Sequence, residues 1–190
     1  MGINRLDRIT KFDAIFFDRD GTINKDLFGY INSLKEFRYF SFSLEALINF
    51  SSLTENFFIV TNQSGLETGV IQLENLELIN QKIFSDFQKL NLPLKKIYYA
   101  NSYKEGFDEM RKPGIGMFNI AKNEFDINLK NSLMIGDTFS DMLAGKRVGM
   151  KIIFLRTGFG ERYLTQVKDE NVADLICDNL LTASLEVLSI

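Results

Sequence analysis

The 190 residues are 45% hydrophobic and 25% charged, the make-up of one ordinary globular domain rather than a disordered or fibrous chain. A net charge of −3 supplies no overall positive field toward nucleic acid or an anionic membrane. The absence of histidine and the single cysteine, Cys177, exclude Ser-His and Cys-His nucleophile pairs, thiolate-rich metal cages and any intrachain disulfide. Catalysis must then run on carboxylates, lysine, arginine, hydroxyls and a hard metal.

Residues 1–11 have mixed charge and no long apolar run, so no signal peptide is expected. No stretch approaches a membrane span, and a cytoplasmic location is expected. Ala14-Ile15-Phe16-Phe17 is a short continuous apolar run, which predicts a strand buried on both faces, as in a parallel sheet. Leu44, Leu47 and Ile48 follow at helical spacing, and Phe57-Phe58-Ile59-Val60 is the second strand. Leu76, Ile79, Ile83, Phe87 and Leu90 mark a helix, and Ile97-Tyr98-Tyr99-Ala100 the third strand. Pro113 is expected to start a helix carrying Phe118, Ile120 and Ala121. Leu133-Met134-Ile135 and Ile152-Ile153-Phe154-Leu155 complete five strands. The alternation implies an α/β, doubly wound, mainly parallel sheet in three α/β/α layers, with ligands at the carboxyl ends of the strands.

Those ends carry the reactive residues. Asp18-Arg19-Asp20-Gly21-Thr22 follows the first strand and Thr61-Asn62-Gln63-Ser64-Gly65 follows the second. Arg111-Lys112 precedes Pro113, and Gly136-Asp137-Thr138-Phe139-Ser140-Asp141 follows the fourth strand. Each segment alone is equally a turn or a helix cap. Their order as a set resembles the haloacid dehalogenase-like superfamily of aspartate-nucleophile phosphatases, over nearly the whole chain.

The chemistry of the residues agrees with that resemblance. A carboxylate can attack phosphorus and split hydrolysis into two steps, and Asp18 is the candidate. Asp20, two residues on, is placed to protonate the leaving oxygen and then to activate water. A cation must bridge carboxylate and phosphate. Mg²⁺ suits them, with Asp18, the Asp20 carbonyl and Asp137 as ligands. Thr61 and the Asn62 amide can donate to phosphate oxygens, and Lys112 adds positive charge. Asp141 either orients Lys112 or touches metal-bound water. Cys177 reads as a small buried hydrophobe, and Arg156 as one half of a surface ion pair.

The gaps after the first and second strands hold one helix each, so residues 1–190 form a single domain without a large cap. The motifs, including Arg111-Lys112-Pro113 with Gly116-Met117, resemble the D-glycero-D-manno-heptose 1,7-bisphosphate phosphatases, with the histidinol-phosphate phosphatase domain a close relative. That resemblance implies a small sugar phosphate as substrate; a monomer is expected, and the acidic balance argues against a nucleic-acid or membrane partner. The resemblance places Asp26, Gly29 and Tyr30 on a substrate-contacting flap, Gln63 and Ser64 on the sugar side, and Arg111 on the sugar or its distal phosphate. Those relatives carry a structural zinc loop. Here the matching stretch reads Ala100-Asn101-Ser102-Tyr103 and then Asp108-Glu109-Met110, without Cys or His, so no zinc is expected. The loop is expected to be held by packing and hydrogen bonds, through Tyr103 and Phe107. The alternatives are a histidinol-phosphate phosphatase, a nucleic-acid-end phosphatase, and a catalytically silent binding protein.

Overall fold

The structure is a computed structural model that describes residues 11–26, 29–102 and 108–189. In chain order it runs β1 (Ala14–Phe17), α1 (Ser43–Ser51), β2 (Phe57–Asn62), α2 (Leu73–Lys89), β3 (Leu94–Ala100), α3 (Gly116–Phe125), β4 (Ser132–Gly136), α4 (Phe139–Val148), β5 (Lys151–Leu155), α5 (Gly160–Asp169), β6 (Leu175–Cys177) and α6 (Leu180–Leu188). The six strands form one sheet in the order β3-β2-β1-β4-β5-β6, and every pairing is parallel. Strand order reverses beside β1, where the chain runs outward through β2 and β3 and then returns to β4. The loops leaving β1 and β4 therefore diverge and open a crevice at their carboxyl ends.

The continuous apolar runs are explained by helices on both faces. Alternate side chains point to opposite sides of a strand. Ile15 and Phe17 join α1, α2 and α6 through Leu47, Phe50, Ile83, Phe87 and Leu180. Ala14 and Phe16 face α3 through Met117, Phe118 and Ala121. Phe16 lies with ring centroids 4.9 Å from Phe58 and 5.2 Å from Phe118. Ile152 and Phe154 of β5 meet Met142 of α4 and Val167 of α5. A strand so covered cannot slip register without burying a helix-facing residue wrongly, and this holds the tip of β1 in place.

Two expectations change. The helix expected at Pro113 begins three residues later, at Gly116. Pro113 instead sits in a turn closed by bonds from Gly114 N to Arg111 O (2.6 Å) and from Gly116 N to Glu109 O (2.7 Å). The sheet also gains β6, a three-residue edge strand that extends the predicted five. Among the described residues, one helix each separates β1 from β2 and β2 from β3, with no large cap, and no helix is long and apolar enough to cross a membrane.

Candidate active site

Asp18 is the first residue beyond β1, and its N–H donates to Ile135 O at 2.9 Å, so the adjoining strand fixes its backbone. The chain then turns sharply, with Gly21 N donating to Asn24 O (2.8 Å) and Ile23 N to Arg19 O (2.9 Å). Gly21 sits at φ +86°, and a Cβ there would fall on the Asp137 carboxylate. Gly158, beyond β5, has φ +54° and is barred from a side chain by the same carboxylate. Only glycine permits both backbones to approach so closely. Asp137 is fully buried beneath these two loops, receiving the Phe159 N–H at 2.7 Å and the Thr22 hydroxyl at 3.3 Å.

Lys112 comes from the turn before α3 and crosses beneath the cleft, 3% exposed. Its Nζ donates to Asp18 Oδ1 and to the Val60 carbonyl, each at 2.6 Å, and also lies 2.6 Å from Asp141 Oδ1. The Asn62 side chain docks that segment by exchanging two 3.0 Å bonds with the Lys112 main chain. Asp141 has a second role. Its Oδ2 receives the Thr138 N–H (3.0 Å) and hydroxyl (2.7 Å), closing a capping box on α4. The Lys112 contact is the one expected if Asp141 orients Lys112.

The electrostatics follow from crowding. Oxygens of Asp18, Asp137 and Asp141 all lie within 4.8 Å of one another, and all three residues are buried. Burial pushes Asp18 up to about 7, with Lys112 opposing and Asp141 adding to the rise. Asp137 is raised well above the ordinary carboxylate range, by burial first and then by Asp18 and Asp141. The carboxylates overcome burial to raise Lys112, which stays charged. Three carboxylates against one ammonium leave the cluster short of positive charge. An all-oxygen, buried and anionic set is what a hard divalent cation requires, so these residues fit Mg²⁺.

Asp20 is arranged differently. Its Oδ1 accepts from Arg19 Nε (3.0 Å) and Asn24 Nδ2 (2.8 Å), and its Oδ2 from Arg19 Nη2 (2.7 Å) and Gln63 Nε2 (2.8 Å). Burial opposes ionisation of Asp20, but Arg19, Asn24 and Gln63 together hold it below the usual range. Arg19 itself is wholly buried.

The cleft over these groups has a volume of about 290 Å³. Asp18, Asp20, Thr61, Lys112 and Asp141 form its floor, and Asn62 and Gln63 continue it at the end of β2. Asp26, Gly29, Tyr30 and Arg111 stand on the walls. Two predicted residues lie outside the lining. Asp137 is beneath the floor, and Ser64 is behind the wall with its hydroxyl 3.3 Å from that of Tyr30. Gln63, expected on the sugar side, is 3% exposed and spends its amide on Asp20 and on Thr61 Oγ1 (2.9 Å). Tyr103 and Phe107 lie outside the described residues. Flanking them, Asp108 accepts from the Ser102 hydroxyl and from Met110 N (2.8 Å), and Arg111 Nη1 donates to Ser102 O at 3.0 Å.

The sequence reading missed the far wall. Phe159, Arg162 and Tyr163, around the start of α5, line the cleft together with Thr138 and Ser140. The available signal was the pair Gly158 and Gly160 just after a strand end, where the doubly wound fold places ligands. The other readings at this edge agree with the structure. Arg156 pairs with Glu161 (2.7 Å) and Asp178 (2.6 Å) at the surface, and Cys177 is buried in β6.

Comparison with known proteins assigns this constellation to a family. The HAD-hydrolase-like family model matches residues 109–183. The D-glycero-alpha-D-manno-heptose-1,7-bisphosphate 7-phosphatase of Photorhabdus laumondii is 30% identical over 182 residues, covering 92% of this chain and 96% of its own. The enzyme of the same name from Campylobacter jejuni is 36% identical over 145 residues, covering 76% and 83%. The crystal structure of the D,D-heptose 1,7-bisphosphate phosphatase from B. bronchiseptica, complexed with magnesium and phosphate, superposes with a TM-score of 0.84 at 24% identity, over 93% of this chain and 98% of that one. That likeness establishes the shared fold. The sequence relatives go further: the chain is a phosphoric monoester hydrolase and belongs to the heptose-1,7-bisphosphate phosphatase family of haloacid dehalogenase-like hydrolases.

Proposed function

We propose that the chain is a Mg²⁺-dependent phosphatase that removes one phosphate from a D-glycero-D-manno-heptose 1,7-bisphosphate through a phosphoryl-aspartate on Asp18. The observation that carries this is the floor of the cleft, where Asp18 meets Lys112 at 2.6 Å with Asp137 and Asp141 crowded beside it. A carboxylate oxygen of Asp18 attacks phosphorus, the bond from phosphorus to the sugar oxygen breaks, and that oxygen takes a proton from Asp20. Arg19, Asn24 and Gln63 hold Asp20 ionised at rest, so it must first take up that proton from solvent. Asp20 then removes a proton from water, which attacks the same phosphorus and expels the Asp18 carboxylate, releasing inorganic phosphate. Thr61 donates to a phosphoryl oxygen, and Lys112 offsets the charge gathering there.

Asp18, the Asp20 carbonyl and Asp137 would hold Mg²⁺, which when bound neutralises the charge between carboxylates and phosphate. Arg111 offers a guanidinium fork to the distal phosphate, and Asp26, Gly29 and Tyr30 close over the sugar. A cleft of about 290 Å³ suits a small molecule and not a duplex. We read the protein as a single capless domain acting as a cytoplasmic monomer, with no nucleic-acid or membrane partner and no zinc.

The test is phosphate release from a panel of heptose bisphosphates, histidinol phosphate and phosphorylated DNA ends. Highest kcat/KM on a heptose bisphosphate is expected. Activity confined to histidinol phosphate or to DNA ends would contradict the substrate.

A further inference from the structure

We propose that Gln63 is a positioning residue that aims two catalytic groups at once, the Asp20 carboxylate and the Thr61 hydroxyl. The inference deepens the reading of the site given above and rests on it.

The geometry is specific. Gln63 is 3% exposed, so its amide cannot turn to water without losing its partners. Its Nε2 carries two hydrogens, and two acceptors stand opposite, Asp20 Oδ2 at 2.8 Å and Thr61 Oγ1 at 2.9 Å. Accepting from Gln63 leaves the Thr61 hydroxyl with its own hydrogen free, directed away from Gln63 and available to a phosphoryl oxygen. The same amide fixes the rotation of Asp20. Arg19 Nε and Asn24 hold Oδ1 of that carboxylate, and among the described residues Oδ2 has Arg19 Nη2 and Gln63 Nε2. Without Gln63, the carboxylate is held from the Arg19 and Asn24 side alone, and its outer oxygen can tilt away from the cleft-facing position. A proton donor and acceptor that tilts loses the geometry that proton transfer demands. Gln63 lies one residue beyond β2, and its N–H donates to Ala100 O at 2.7 Å, which ties its backbone to β3.

A residue that works through a general acid leaves a signature that simple loosening of the site does not. Protonation of the leaving oxygen matters for a poor leaving group such as a sugar alkoxide, and little for a good one such as p-nitrophenolate. The value of kcat/KM reports the steps up to departure of that group, before water attacks the intermediate. Gln63→Met keeps the length of the side chain and removes the donor. Its kcat/KM should fall at least tenfold more on heptose bisphosphate than on p-nitrophenyl phosphate, and Asp20→Asn should show the same asymmetry more strongly. Gln63→Glu, similar in shape but an acceptor facing two acceptors, should repeat the pattern and covers the case in which the methionine variant does not fold. Equal losses on both substrates, or a gain on the sugar phosphate, in variants whose melting temperature is preserved would overturn the proposal. Full activity in Asp18→Asn on both substrates would instead overturn the underlying phosphatase mechanism, so the two failures are distinguishable.

Discussion

Lys112 Nζ stands 2.6 Å from Asp18 Oδ1, so the group proposed to stabilise the transferring phosphoryl also grips the atom proposed to attack it. The side chains are 2% and 10% exposed, which places the contact out of reach of salt screening. Before substrate arrives, the ammonium keeps Asp18 in place against its anionic neighbours. Once a phosphoryl group is bound, the same charge is available to its oxygens.

Lys112→Ala should therefore lower kcat on every phosphomonoester by about 100-fold or more, the range seen when one electrostatic donor is removed from a preorganised site. It should also destabilise the fold by roughly 3 kcal/mol, because it strands two buried carboxylates. Lys112→Arg, with a planar and longer head, should not restore turnover. Steady-state kinetics and denaturant melts check both effects. A fall in activity limited to one substrate would contradict a role at the reacting phosphate.

Arg111→Ala should act differently, because Arg111 lines the cleft while partly exposed, whereas Lys112 is buried beside Asp18. KM for a bisphosphate should rise about tenfold, the effect of one lost charge-assisted bond, while kcat changes little. KM for a monophosphate should be nearly unaffected. Matched kinetics on the two substrates make the comparison, and equal rises would remove Arg111 from the distal phosphate.

The cluster of Asp18, Asp137 and Asp141 predicts how metal and pH act together. Without metal, Asp18 titrates at about 7, above its ordinary value of 3.8. A carboxyl whose folded pKa is raised contributes stability at low pH that is lost as pH rises through that value. Mg²⁺ binds the ionised form and should recover what is lost. The rise in melting temperature caused by Mg²⁺ should thus be larger at pH 8 than at pH 6. Thermal scans with and without the metal at both pH values give the answer, and a larger rise at pH 6 would have the wrong sign.

Much of this was legible in the sequence. β1 to β5 were readable because strands covered on both faces are continuous apolar runs, and the reactive residues were readable because this topology gathers strand ends. β6 has only three residues, Leu175 to Cys177, too short to register as a run. α5 carries Glu161, Arg162 and Lys168 and buries little beyond Val167, so Arg162 and Tyr163 gave no hint that they face the cleft. Gln63 shows a different limit. Its place in Thr61-Asn62-Gln63-Ser64-Gly65 was plain, but the strand ends at Asn62 and the alternation of faces ends with it. Whether that amide meets a sugar or another side chain is settled by where Asp20 folds back.

In the loop from 100 to 110, the described residues that flank 103–107 bond to one another. Asp108 bonds Ser102 and Met110, and these bonds hold its carboxyl below the usual range. Asp108→Ala should cost about 1 kcal/mol of stability, the scale of a partly exposed hydrogen-bonded group, and should raise KM through its neighbour Arg111. Elemental analysis of the purified protein should find no stoichiometric zinc. One tightly bound zinc per chain would mean that this loop is held in another way.

The most direct test of the account is the Asp18→Asn protein assayed for phosphate release from heptose bisphosphate with Mg²⁺ present. The substitution keeps the shape of the side chain and removes only the attacking carboxylate and its charge. Turnover should fall to background while the melting temperature stays close to that of the parent. Substantial phosphate release by the folded variant would contradict covalent catalysis by Asp18.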